Sequence, residues 1–101
     1  MIQHIVMLSL KDDADQGELA SVMDGLASLD LPGFDGFEHG PNRDFEATTP
    51  DHGYGFICRF ADAAALKTYA QDADHCALGA RLVAMCQGGG DGIMVMDLDV
   101  S

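Results

Sequence analysis

Apolar positions along this chain follow two rhythms, and the switches between them mark its elements. Ile2 to Leu10 reads as a β-strand with Ile2, His4, Val6, Leu8 and Leu10 on one face and Gln3, Ile5, Met7 and Ser9 on the other. Both faces are largely apolar, so both need cover. Lys11 to Asp15 is a polar turn. Asp15 followed by Glu18 resembles a capping box. Leu19, Val22, Met23, Leu26 and Leu29 then recur at helical spacing along one face. Gly17 and Gly25 weaken that helix by roughly 1 kcal/mol each relative to Ala, so packing must hold it. Leu31-Pro32-Gly33 stops it and turns the chain.

Phe34 to Gly40 predicts a second strand anchored by Phe34 and Phe37, and Pro41 to Asp51 a polar loop without periodicity. His52 to Phe60 alternates as a third strand, with His52, Tyr54, Phe56, Cys58 and Phe60 on one side. Asp62 caps a second helix whose inward candidates are Ala63, Leu66, Tyr69 and Ala70. The helix is expected to break or bend near Ala70 to Asp72. A further run places His75, Leu78, Leu82 and Met85 on one face until Gly88-Gly89-Gly90 ends it. Ile93 to Val100 is the last strand, with Met94, Met96, Leu98 and Val100 on one side and Ile93, Val95, Asp97 and Asp99 on the other. The order β-α-β-β-α-β predicts an α+β, ferredoxin-like subunit: one domain over residues 1–101, four antiparallel strands and two helices on one face. A second copy would cover the other face and close a dimeric α+β barrel between two chains.

Composition sharpens this picture. A chain of 101 residues that is 48% hydrophobic has more apolar surface than a small monomer easily hides, which predicts a homodimer. Seventeen acidic residues against five basic give a net charge of −12. Such a surface repels nucleic acid and anionic lipid, so neither is an expected partner. It suits solubility, or recruitment of cations or a basic partner. Cys58, Cys76 and Cys86 are odd in number and form no CxxC, so free thiols in a reducing cytoplasm are expected. The opening MIQHIVMLSL lacks a basic n-region and has strand length, so it reads as neither a signal peptide nor a membrane span.

Several chemistries are disfavoured by spacing. QGGGDG follows a helix and precedes a strand, the reverse of a phosphate loop, and reads as a helix stop. No HxH, HxxxH or HExxH pattern suggests a metal site, no Ser sits in a nucleophile elbow, and no cofactor is expected. General acid–base work has candidates in His4, Tyr69 and His75, with Asp97 as an orienting carboxylate. The same residues also suit plain packing. His4 reads either as a core histidine with one hydrogen bond, or as a polar group lining a mostly apolar pocket with Val6 and Leu8. Tyr69 and His75 are six residues apart, about 600° around a straight helix, so they converge only if the helix breaks between Ala70 and Asp74. AQDAD, with its two candidate caps, permits that.

The sequence resembles the stress-responsive A/B-barrel (Dabb) family. The resemblance rests on MIQHIVMLSLK, LPGFDGFEHGPN, YGFICRFADAAALKTYAQDADHCALG and the closing IMVMDLDV. It implies a ferredoxin-like subunit that pairs through its sheets into a dimeric barrel. The family includes plant stress-associated proteins and a polyketide cyclase that closes a linear poly-β-keto thioester by an intramolecular aldol reaction. The matching pocket positions are His4, Tyr69 and His75. The resemblance implies His75 as general base, Tyr69 positioning or polarising a carbonyl or thioester, and His4 lining the pocket. Here Asp72 and Ala73 stand where the family often has His and Pro. The missing Pro is expected to loosen the turn that presents His75. Asp72 and Asp74 are expected to raise its pKa. The implied function is binding of a small, mostly apolar, oxygen-bearing molecule in the barrel cavity, with acid–base chemistry of aldol, lyase or isomerase type. The alternative is a non-enzymatic stress or structural protein whose barrel is simply a stable core.

Overall fold

The register of the first strand decides which side of the molecule is which. In the computed structural model, which describes residues 1–100, β1 (Ile2–Leu8) is an interior strand of a four-stranded sheet ordered β2-β3-β1-β4. Here β2 is Phe34–Pro41, β3 is Tyr54–Phe60 and β4 is Ile93–Asp99, and every neighbouring pair is antiparallel. Three helices accompany them: α1 (Gln16–Ala27), α2 (Ala63–Gln71) and α3 (Ala73–Met85). A short 3-10 turn, Gly89–Gly92, leads into β4. This is the expected ferredoxin-like α+β fold, with the second helical region split in two.

Side chains at even positions of β1 and β3 face the helices and build the core. Val6, Leu8, Phe56, Cys58 and Phe60 are buried there against Leu19, Val22, Met23 and Leu26 of α1, Tyr69 of α2 and Leu82 and Met85 of α3. Asp15 does cap α1, accepting hydrogen bonds from the backbone N–H groups of Gly17 and Glu18. The reciprocal half of the capping box is absent. Glu18 instead makes a two-point contact with the Arg81 guanidinium of α3, its Oε2 accepting from Nε at 2.9 Å. Gly25 has a packing reason that outweighs its helix cost: a Cβ there would lie 2.8 Å from Cδ2 of Leu78, so its absence lets α3 approach α1. On α2, Ala63 and Ala70 are exposed, and Ala65 is the small residue that faces inward.

The long connection after β2 is ordered by its own side chains. Asn42 donates to the Thr49 hydroxyl and the His52 carbonyl, and Asp44 Oδ1 accepts from Thr48 N, Thr49 N and Thr49 Oγ1. Those donors, led by the Thr49 backbone N–H, hold the Asp44 carboxyl below its ordinary range. Because His52 and Gly53 serve this loop, β3 begins at Tyr54, two residues later than the alternation suggested.

Odd positions of β1 face away from the helices. Ile5, Met7 and Ile57 lie there beside Met94, Met96 and Leu98 of β4, the last three 40%, 44% and 49% exposed. This uncovered apolar face is the one the doubly apolar first strand implied. Val6 does not belong to it. It points into the helix-side core at 4% exposure, so it is no interface position in this register. The helices also stop short of β4, whose residues Met94 to Asp99 are all exposed. Among the described residues no helix is long and apolar enough to cross a membrane.

Candidate functional site

Strand pairing lays down one row of the site. His4 is opposite Cys58 on β3 and opposite Asp97 on β4, and Cys58 is opposite Phe37 on β2. The row therefore reads Phe37, Cys58, His4, Asp97 across the helix side of the sheet. His4 Nδ1 donates to Asp97 Oδ1 at 2.5 Å, with the two side chains 14% and 44% exposed.

Helix termini supply the other half. Asp72 ends α2 and starts α3 with an extended backbone, φ −65° and ψ 132°. Its carboxylate accepts from His75 N at 2.9 Å, an N-cap bond. This break swings His75 back over Tyr69, so the rings sit 3.9 Å apart between centroids. The two residues converge for the reason the six-residue spacing demanded. The turn is set without a proline, because Asp72 caps it. Tyr69 is 1% exposed, edge-on to His4 at 5.8 Å, and packed on Phe60 at 4.9 Å.

Burial dominates the electrostatics. It drives the Tyr69 phenol far above its ordinary range, with Cys58 adding to the shift. The Cys58 thiol is pushed up to about 11 by burial, and it donates to the Tyr69 hydroxyl at 3.7 Å. The His75 imidazole moves down, chiefly by burial and next by the charge of His4. Asp72 and the nearby carbonyls of Ala70 and Tyr69 oppose that shift and lose. The expectation that acidic neighbours would raise this imidazole is therefore overturned: desolvation outweighs them. His75 Nδ1 is sealed from solvent and has no hydrogen-bond partner of acceptable geometry.

The structure thus gathers His4, Asp97, Tyr69 and His75. Val6 and Leu8, expected beside His4 at a ligand, are core residues at 4% and 0% exposure and are closed off by the packing around them. The cluster lies between sheet and helices, not on the uncovered face where a second sheet would enclose a lumen. Cys58 was missed as a site residue, although the alternation of β3 already turned it inward. A second His–Tyr pair was missed as well: His39 Nδ1 and the Tyr54 hydroxyl, 2.5 Å apart at the β2 edge. Residues that touch only across strands carry no local sequence signal. A groove of about 640 Å3 at one end of the sheet includes Asp12, Asp51, His52 and Asp91. A hollow of about 250 Å3 on the uncovered face includes Ile5, Met7 and Ile57. Neither is lined by His4, Tyr69 or His75. Among the described residues, no group of three or more His, Cys, Asp or Glu stands placed to hold a metal ion.

The sheet, the split helix and the half-buried imidazoles gathered on one buried phenol define a ferredoxin-like α+β protein. The model of the stress responsive A/B barrel domain matches residues 2–100, and the chain belongs to that family. A dimeric ferredoxin-like protein of unknown function from Jannaschia sp. CCS1 is 44% identical, with 98% of each chain covered and a TM-score of 0.88. A Dabb family protein from Mesorhizobium loti is 25% identical over 99% of this chain and 96% of that one, with a TM-score of 0.77. A hydroxynitrile lyase from Passiflora edulis shares the fold at 12% identity, covering 99% and 93%, with a TM-score of 0.81. No curated protein sequence matches this chain.

Proposed function

We propose that this protein binds a small, uncharged, mostly apolar molecule bearing a carbonyl or hydroxyl oxygen, and that it performs cofactor-independent acid–base chemistry of aldol, lyase or isomerase type on it. The carrying observation is the convergence of two imidazoles, one of them with a sealed and unbonded Nδ1, on one phenol. An unsatisfied buried nitrogen costs stability, and such groups concentrate where a ligand completes them. Burial keeps His75 neutral at pH 7, so its ring nitrogens meet a ligand uncharged. Cys58 donates to the Tyr69 oxygen, which leaves the phenolic proton to point at a substrate oxygen. The Asp97 carboxylate and the net charge of −12 disfavour an anionic ligand. Entry is from the β4 margin, which the helices leave open. In this reading the protein is a cytoplasmic homodimer paired through the uncovered sheet face.

Chemical-shift mapping with mandelonitrile tests the binding claim; this small cyanohydrin suits the site and is the substrate type of a fold relative's enzyme class. Shifts gathering at His4, Tyr69, His75 and Asp97 are the expected result. A flat titration to millimolar concentration, or shifts only on the uncovered face, refutes it. His75→Ala should weaken binding, and with it turnover of a found substrate at low concentration, with the thermal midpoint nearly unchanged. A loss of several kcal/mol instead marks His75 as a buried structural group.

The alternative reading, a non-enzymatic structural or stress protein, draws on one observation. Tyr69 is packed to 1% exposure, with rings of His75, His4, Phe34 and Phe60 around it. That reading expects Tyr69→Phe and His4→Gln to change stability and nothing else.

A further inference from the structure

We propose that His4, backed by Asp97, is the proton acceptor of the cluster, and that His75 acts beside it as an uncharged hydrogen-bonding partner. This rests on the preceding reading that the cluster meets a substrate, and it assigns the proton within that reading.

Three observations point the same way. The first is tautomeric. A carboxylate only accepts, so the 2.5 Å contact places a His4 proton on Nδ1, and in the neutral ring the lone pair is then on Nε2. Asp97 is thereby a positioning residue. It holds the ring in one tautomer and stands ready to offset the imidazolium that forms when Nε2 takes a proton.

The second is the contrast with His75. That ring has no carboxylate hydrogen-bonded to either nitrogen; Asp72 Oδ2 accepts instead from the His75 backbone N–H. Its Nδ1 is sealed and unbonded. A proton placed on His75 makes a half-buried imidazolium beside a second imidazole, with no carboxylate hydrogen-bonded to the ring. The same proton on His4 makes an ion pair with Asp97. A charge that must appear transiently in a dry site appears where it is compensated.

The third is the route to water. Exposure rises from Tyr69 at 1%, through the His4 side chain at 14%, to the Asp97 side chain at 44% on the uncovered edge strand. A proton collected by His4 therefore leaves along a graded path toward solvent. Tyr69 lies at the dry end, which suits holding a substrate.

The probe is 5-nitrobenzisoxazole, small, apolar and oxygen-bearing. A base takes its C3 proton, the C–H electron pair forms the nitrile, and the N–O bond breaks with its pair going to the phenolate oxygen. His4 Nε2 would take the proton, and the Tyr69 hydroxyl would donate to the departing oxygen. With the full-length protein, His4→Gln is expected to lower kcat about 100-fold or more, and Asp97→Asn at least about 10-fold. His75→Gln is expected to act more on KM than on kcat. A kcat loss in His75→Gln equal to or above that in His4→Gln overturns the assignment while the proposed function stands. No ring opening above buffer by the unaltered protein overturns both. A folding-independent arm uses 15N-labelled unaltered protein: His4 must show the proton on Nδ1 and a bare Nε2. The reverse tautomer overturns the assignment even if the His4 variant does not fold.

Discussion

At the scale of single residues, the lowered His75 pKa makes a prediction about acid. Its folded value lies below the ordinary 6.5, so below that pH the unfolded chain binds more protons than the folded one. Stability from this group is complete above about pH 6.5 and is lost as pH falls through the window down to the folded value. Thermal midpoints measured between about pH 7.5 and pH 5 should fall in the unaltered protein and fall less in His75→Gln. Equal slopes would show that burial of this ring is not what acid reverses. Thiols give a second prediction. Cys76 is exposed, whereas Cys58 and Cys86 are buried, and burial pushes the Cys58 thiol to about 11. A thiol reagent should therefore label one cysteine per chain rapidly, at position 76, and the other two only on unfolding. Rapid labelling at Cys58 would mean that the floor of the cluster opens. At this scale the sequence was a partial guide. It named His4, Tyr69, His75 and Asp97, and the pairing of β1 with β4 explains why His4 and Asp97 meet. It misjudged the His75 environment because charges are visible in a sequence and desolvation is not.

At the scale of elements, the break at Asp72 is the informative joint. The Asp72 carboxylate bonds His75 N and begins α3. Asp72→Ala should cost about 1 kcal/mol, the usual loss of a cap, and loosen the His75 ring from Tyr69. Ala73 occupies the first helical position of α3, and the Asp72 backbone before it is already extended, as a following proline requires. Ala73→Pro should accordingly stabilise the fold by about 0.4–1 kcal/mol, raising the thermal midpoint by roughly 2–8 °C. A lower midpoint would show that the Ala73 N–H has a role the cap does not reveal. Elements themselves were legible because their apolar rhythms are local. Boundaries slipped where side chains took over backbone partners, as Asn42 does with His52 at the head of β3. Glu18 likewise left its expected cap for Arg81, a residue 63 positions away that no local pattern connects to it.

At the scale of the molecule, the proposed reading gives the two faces of the sheet separate duties, and a pair of substitutions tests that. Met96→Asp puts a charge on the uncovered face, where Met96 is 44% exposed in the single chain. It should lower the dimer fraction by light scattering at micromolar concentration and leave each subunit folded. Val6→Asp buries a charge in the core and should unfold the chain instead. Dimeric mass retained in Met96→Asp would place the pairing surface elsewhere. The apolar excess of the sequence foretold a second apolar face, but the face that a given strand residue joins is settled by register alone. That has a consequence for how such a chain diversifies. His4 and Ile5 are adjacent in the chain and point to opposite sides of the same strand, so in the proposed reading substitutions at odd positions alter company and those at even positions alter reactivity. A lineage can exchange its self-association for another arrangement without rewriting its chemistry, or retune its chemistry while keeping its assembly. The one change that cannot be absorbed is an insertion or deletion of a single residue within β1. It would exchange the two sets at a stroke, sending the imidazole outward and an isoleucine into its place.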